Sequence, residues 1–122
     1  MPKQLKKILI VDDDEDILVM MQNLLEAEGY EPLVSPYATN IMEIISQRKP
    51  EMIFLDIQMG AQNGGDICRQ IKADPSMHDI PLVLFSSNDN IIAISKQCGA
   101  DGYLAKPFAP DNFRSVVARF VH

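Results

Sequence analysis

Four apolar runs in this chain of 122 residues each end on a residue that can do chemistry. Ile8 to Val11 runs into Asp12 and Asp13, Met52 to Leu55 into Asp56, Leu82 to Phe85 into Ser86, and Tyr103 to Ala105 into Lys106 and Pro107. Three carboxylates brought close together repel one another and raise their own pKa values unless a cation intervenes. Magnesium suits such a set, because it takes oxygen ligands and commonly uses one or two carboxylates with waters and a phosphate oxygen. Calcium suits it less, since the chain has no EF-hand loop. An aspartate is also a nucleophile toward phosphorus, giving an acyl phosphate. Lys106 would then pair with phosphoryl oxygens as a point charge, and the Ser86 hydroxyl would donate a hydrogen bond to one of them. Phosphoryl transfer asks mainly for this positioning and charge neutralisation. Each element alone has a plainer reading: the Asp pair as a helix cap, the serine as a turn residue, the lysine as surface. Order and spacing along the chain give the set its weight.

The elements between these runs tell how they are positioned. Ile17, Met20, Met21, Leu24 and Leu25 recur at helical spacing, and Gly29 ends that helix. Leu33 and Val34 form a short second strand stopped by Ser35 and Pro36. Ile41, Met42, Ile44 and Ile45 form a second helical stripe, with Asn40 and Glu43 spaced like a capping box. Asn63, Gly64 and Gly65 signal a turn before a third helix carrying Ile67 and Ile71, which runs out near Pro75. Ile91, Ile92 and Ile94 begin a shorter fourth helix ending near Gly99. Pro110 opens the last helix, whose apolar face is Phe113, Val116, Val117 and Phe120. Strict β-α alternation implies a parallel sheet covered on both faces. The expected fold is therefore α/β, a three-layer doubly wound (flavodoxin-like) five-stranded parallel sheet with five helices. Strands one, three and four are fully apolar, as central strands should be, strand two reads as an edge, and 2-1-3-4-5 is the natural guess, an order that alternation alone does not give. In such a sheet the strand C-termini share one edge, where ligands bind.

Size and composition bound the alternatives. The length fits one domain, residues 1–122, with no internal repeat. Hydrophobic content of 47% and charged content of 23% are ordinary for a globular protein. A net charge of −6 argues against direct nucleic-acid binding. No apolar run approaches the roughly 20 residues of a membrane span, and the basic N-terminus lacks a signal-peptide core, so a cytoplasmic location without membrane contact is expected. Asp14 to Asp16 read as helix N-terminal acids. Cys68 and Cys98 read as two reduced, partly buried thiols.

Four stretches, Lys7 to Asp16, Phe54 to Met59, Pro81 to Ser86 and Gly99 to Phe108, together resemble the receiver domain of bacterial two-component response regulators (the CheY-like superfamily). The resemblance runs from about Lys7 to Phe120. It implies that Asp56 is the phosphoacceptor, taking phosphate from the phosphohistidine of a histidine kinase or histidine phosphotransfer protein. It implies that Asp12 and Asp13, with Asp56 and the backbone carbonyl of Gln58, hold Mg2+. Ser86 matches the switch hydroxyl, Lys106 the phosphate contact within a typically cis Lys106-Pro107 pair, and Tyr103 the switch aromatic. Gln58 and Asn88 match positions that influence hydrolysis. The sequence departs from the family's pattern at Met59-Gly60, where a proline usually follows the methionine, and in Ser87 to Ile91, which is about two residues short.

The expected function is thus a phosphorylation switch in which the fourth helix, fifth strand and fifth helix change their affinity for a downstream protein effector. Such a domain is not an enzyme beyond its own phosphorylation and dephosphorylation, and is a monomer or a weak phosphorylation-dependent dimer. One alternative is a receiver fold kept as a phosphorylation-independent interaction module. Another is a magnesium phosphatase with an aspartyl nucleophile, whose second acid two residues on is missing at Gln58. No output domain is expected within these residues.

Overall fold

The computed structural model describes residues 5–59, 62–87 and 89–121. The elements run β1 (Lys7–Val11), α1 (Glu15–Ala27), β2 (Glu31–Ser35), α2 (Ile41–Arg48), β3 (Met52–Asp56), β4 (Gln58–Met59), β5 (Gln62–Asn63), α3 (Gly64–Ala73), β6 (Leu82–Ser86), α4 (Ile91–Cys98), β7 (Gly102–Ala105) and α5 (Pro110–Phe120). Five strands form one sheet in the order β2-β1-β3-β6-β7, every pair parallel. Setting aside the two-residue strands β4 and β5, which pair only with each other, this is the expected 2-1-3-4-5 order. The chain moves outward to β2 on one side of β1 and to β3 on the other. Asp12 and Asp56 stand at the C-terminal ends of the two strands where the order reverses.

The strands alternate their side chains between two apolar layers. Ile8, Ile10, Met52, Phe54, Val83 and Phe85 face α1 and α5. Leu9, Val11, Ile53, Leu55, Leu82 and Leu84 face α2, α3 and α4. Both sets are fully buried, which is why the central runs read as continuously apolar. On the α1 and α5 side, Phe54 meets Phe113 at 4.9 Å and Phe85 edge-on at 6.2 Å between ring centroids. Truncating a ring such as Phe113 to alanine costs about 3–5 kcal/mol in a core of this kind.

Local signals explain most boundaries. Asp14 caps α1, its Oδ1 accepting from the N–H groups of Asp16 (3.0 Å) and Ile17 (3.4 Å). Gly29 and Gly99 follow α1 and α4 with φ of 87° and 82°, the left-handed turn that glycine takes without strain. Three expectations need correction. The capping box at Asn40 and Glu43 does not form: Asn40 sits at ψ 21° rather than in the extended region, so its side chain makes no cap bond. Glu43 instead accepts from Gln47 Nε2 at 3.3 Å. The second strand is longer than Leu33 and Val34, because β1 pairs with it from Glu31 to Ser35. Asn63-Gly64-Gly65 is the start of α3 and not a free turn, with Asn63 Oδ1 accepting from Gly65 N–H at 2.7 Å.

Cys68 and Cys98 are both free and buried, from α3 and α4. Cys68 Sγ lies 3.5 Å from the Cys98 carbonyl oxygen, and burial pushes its thiol far above the ordinary range. A thiol so protonated and shielded is inert. Among the described residues no helix is long and apolar enough to cross a membrane.

Candidate functional site

The strand ends bring the reactive residues together. Asp12 follows β1 directly and continues its ladder, its N–H donating to the Ser35 carbonyl at 3.2 Å. Asp56 closes β3 and Ser86 closes β6, while Lys106 follows β7 with its N–H bound to the Ser86 carbonyl at 2.9 Å. Asp12, Asp56 and Ser86 are buried at 0%, 5% and 2% exposure, whereas Asp13 is exposed. One carboxylate oxygen from each of Asp12, Asp13 and Asp56 falls within 4.8 Å of the others.

Lys106 supplies the charge opposite these acids. Its Nζ lies 2.7 Å from Asp12 Oδ2 and 3.5 Å from Asp56 Oδ2, and 4.8 Å from the centre of the Phe85 ring. Both Asp12 oxygens are engaged, since the other accepts from the Asp14 N–H at 2.9 Å. Asp56 is held more loosely: Oδ1 accepts from the Gln58 N–H at 3.3 Å and Oδ2 meets Lys106 beyond hydrogen-bond optimum. Of the two buried acids, Asp56 is therefore the less tightly engaged.

Its electrostatics agree. Burial first, and the Asp12 charge second, raise the Asp56 carboxyl from 3.8 to about 6, against the opposing pull of Lys106 and the Gln58 N–H. Three carboxylates face one ammonium, so the pocket carries excess negative charge made of hard oxygen donors only. That chemistry fits Mg2+ and not a soft metal.

The turn after β3 holds this geometry through a close backbone approach. Gly64 N–H donates to the Ile57 carbonyl at 2.7 Å. A Cβ on Gly64 would collide with the Asp56 carbonyl oxygen and would stand 2.8 Å from Ile57 Cα. The Gly-Gly pair signals this, yet the contact itself was not foreseen. The Gln58 side chain is exposed. The expectations resting on Gly60 and Asn88 lie outside the described residues.

Tyr103 is not part of the acid cluster. It pairs with Leu84 across β6 and β7 and is 46% exposed, on the α4–β7–α5 side. The Lys106–Pro107 peptide is cis.

The fold and this cluster are those of a receiver domain. The chain matches the response regulator receiver domain family over residues 8–118 and belongs to that family. It is 38% identical over 117 residues to the phosphate regulon transcriptional regulatory protein PhoB of Pseudomonas aeruginosa, covering 93% of this chain and 49% of that one. It is 30% identical over 116 residues to the DNA-binding response regulator MtrA of Mycobacterium tuberculosis, covering 93% and 48%. Among solved structures, the signal receiver domain of a signal transduction histidine kinase from Syntrophus aciditrophicus superposes with a TM-score of 0.87 at 28% identity, covering 95% of this chain and 89% of that one. The chain thus spans about half the length of the curated relatives it matches.

Proposed function

We propose that this domain is a phosphoacceptor switch in which Asp56 takes a phosphoryl group from a phosphohistidine. A carboxylate oxygen of Asp56 attacks phosphorus, the phosphorus–nitrogen bond breaks, and the imidazole departs with that electron pair. The product is an acyl phosphate, which water later cleaves to restore the carboxylate. The observation that carries this reading is the convergence of Lys106 Nζ on both buried acids, 2.7 Å from Asp12 and 3.5 Å from Asp56, with Asp56 the less engaged. Asp12, Asp13, Asp56 and the carbonyl of Gln58 would hold Mg2+, which offsets charge on the phosphoryl oxygens. Lys106 shifts from Asp12 toward the transferred group, and Ser86 donates its hydroxyl to it.

The donor is a histidine kinase or histidine phosphotransfer protein, and the recipient of the signal is a protein effector. Ser86 and Lys106 are joined through the backbone at the ends of β6 and β7. Drawing both toward a phosphoryl group therefore moves the strand that carries Tyr103. A two-state element biased by such local contacts suffices for a switch. Backbone amide NMR tests this with Mg2+ and then beryllofluoride, which mimics the phosphoryl group. Mg2+ should shift Asp12, Asp13, Asp56 and Gln58, and beryllofluoride should then shift Ser86, Tyr103 and α4. Shifts confined to the acids would leave a metal site without a switch.

A further inference from the structure

We propose that Phe85 is a positioning residue for phosphoryl transfer: its buried ring is a third partner of the Lys106 ammonium and eases that cation's departure from Asp12 toward a group on Asp56. The inference rests on the reading of Asp56 as the phosphoacceptor, and names what prepares its counter-charge.

The sheet sets ring and cation together. Phe85 pairs in register with Asp56 on β3 and with Leu104 on β7. Register partners on neighbouring strands point to the same side of a sheet. Lys106 lies two residues beyond Leu104, and its Nζ stands over the Phe85 ring, 4.8 Å from the centre. A ring face attracts a cation within roughly 6 Å. Phe85 is fully buried and the Lys106 side chain is 16% exposed, so little water competes for the ammonium.

The ring is held in place. Phe54 meets it edge-on, with 77° between the planes, and Phe54 is itself packed on Phe113. The Phe85 carbonyl accepts from the Ile57 N–H at 3.2 Å, which ties this strand to the turn after Asp56. An aliphatic side chain could fill such a place in the core, as Val83 and Leu104 fill theirs. Only an aromatic one presents a negative face.

The consequence is for the movement of Lys106. Its short contact, 2.7 Å, is with Asp12, and Asp56 stands farther off at 3.5 Å. A carboxylate holds an ammonium by a directed, charge-assisted hydrogen bond. That bond has to lengthen before the cation can turn to a new group. The attraction of a ring face is not aimed along a lone pair, so it persists while the ammonium shifts across the ring. The ring thereby offsets part of the cost of leaving Asp12. As the register partner of Asp56, it also keeps the ammonium beside the reacting carboxylate.

The test replaces Phe85 by phenylalanines carrying one, two and three ring fluorines, which weaken the negative face stepwise at nearly constant shape. The same series at Phe113, a buried ring with no cation over it among the described residues, controls for packing. The rate of labelling by phosphoramidate with Mg2+ should fall with each fluorine at position 85, by about 10-fold at three, and stay level at position 113. In the metal-free protein, NMR should find the Lys106 ε-methylene protons upfield of an ordinary lysine, and Phe85→Leu should return them. Equal rates across the Phe85 series, an equal fall in the Phe113 series, or ε-methylene protons at their ordinary position in the parent would overturn the proposal. A parent that takes no label would overturn the phosphoacceptor reading and the ring's part in transfer with it. A labelled parent with a flat Phe85 series would remove the ring's part alone.

Discussion

Lys106 spends its shorter contact, 2.7 Å, on Asp12, the buried acid at the end of β1. Asp12 is 0% exposed, so that ammonium is the counter-charge that makes its burial tolerable. Removing one member of a buried pair typically costs 3–5 kcal/mol. Lys106→Ala should therefore lower the metal-free unfolding free energy by about 3 kcal/mol at neutral pH. Millimolar Mg2+ should recover part of the loss. Urea titrations with and without metal check this, and equal stability of variant and parent would show the pair to be dispensable.

Asp56 should make the metal-free protein less stable as pH rises. Its folded pKa of about 6 lies above the ordinary 3.8. Between those values the native state holds more proton than the unfolded chain, so stability falls with rising pH through that window. Above it the full penalty, about 3 kcal/mol, persists. Asp56→Asn removes the penalty, so the variant should exceed the parent at pH 7, with the gap closing toward pH 4. Magnesium should narrow the gap at pH 7 by binding the parent. Denaturant unfolding across this range reads the difference directly.

Gly64 should tolerate no side chain. A Cβ there meets the backbone of Asp56 and Ile57, neither of which is the free end of a flexible group. Gly64→Ala should cost about 3 kcal/mol, at the upper end for overpacking. It should also weaken Mg2+ binding by displacing Asp56, which calorimetric titration would detect. Gly29→Ala, where nothing lies within 4 Å of the added carbon, serves as the contrast: strain from its φ of 87° should lower stability while metal affinity stays the same.

Lys49 offers a gain. It ends α2 in the left-handed region at φ 50°, the one such non-glycine residue among those described. Lys49→Gly relieves backbone strain and should stabilise by about 0.5–1 kcal/mol, the relief outweighing the glycine's extra entropy in the unfolded chain. The midpoint of thermal unfolding should rise. No change would mean that the lysine stem makes compensating contacts.

The strand ends were legible because buried parallel strands read as unbroken apolar runs, so Asp12, Asp56, Ser86 and Lys106 stand out where those runs stop. The edge place of β2 followed from its weaker apolar character, while β-α alternation alone did not dictate the full order. The hairpin of β4 and β5 was not legible, since two-residue strands carry no period. The contact of Gly64 with Asp56 was hidden because a Gly-Gly pair looks the same in a turn and in a helix start pressed on another backbone. The tie between Lys72 and Asp101 joins residues 29 apart through a single carboxylate, and no local pattern encodes it. Asn40 shows the reverse error: its spacing to Glu43 fits a capping box, but its backbone is not in the extended region and its side chain makes no cap bond.

The central claim, that Asp56 accepts a phosphoryl group, is tested most directly by intact mass spectrometry after incubation with phosphoramidate and Mg2+. The parent should gain the mass of a single phosphoryl group, lost on hydroxylamine treatment as an acyl phosphate requires, and Asp56→Asn should gain none. A label that persists in Asp56→Asn, or that resists hydroxylamine, would contradict the account.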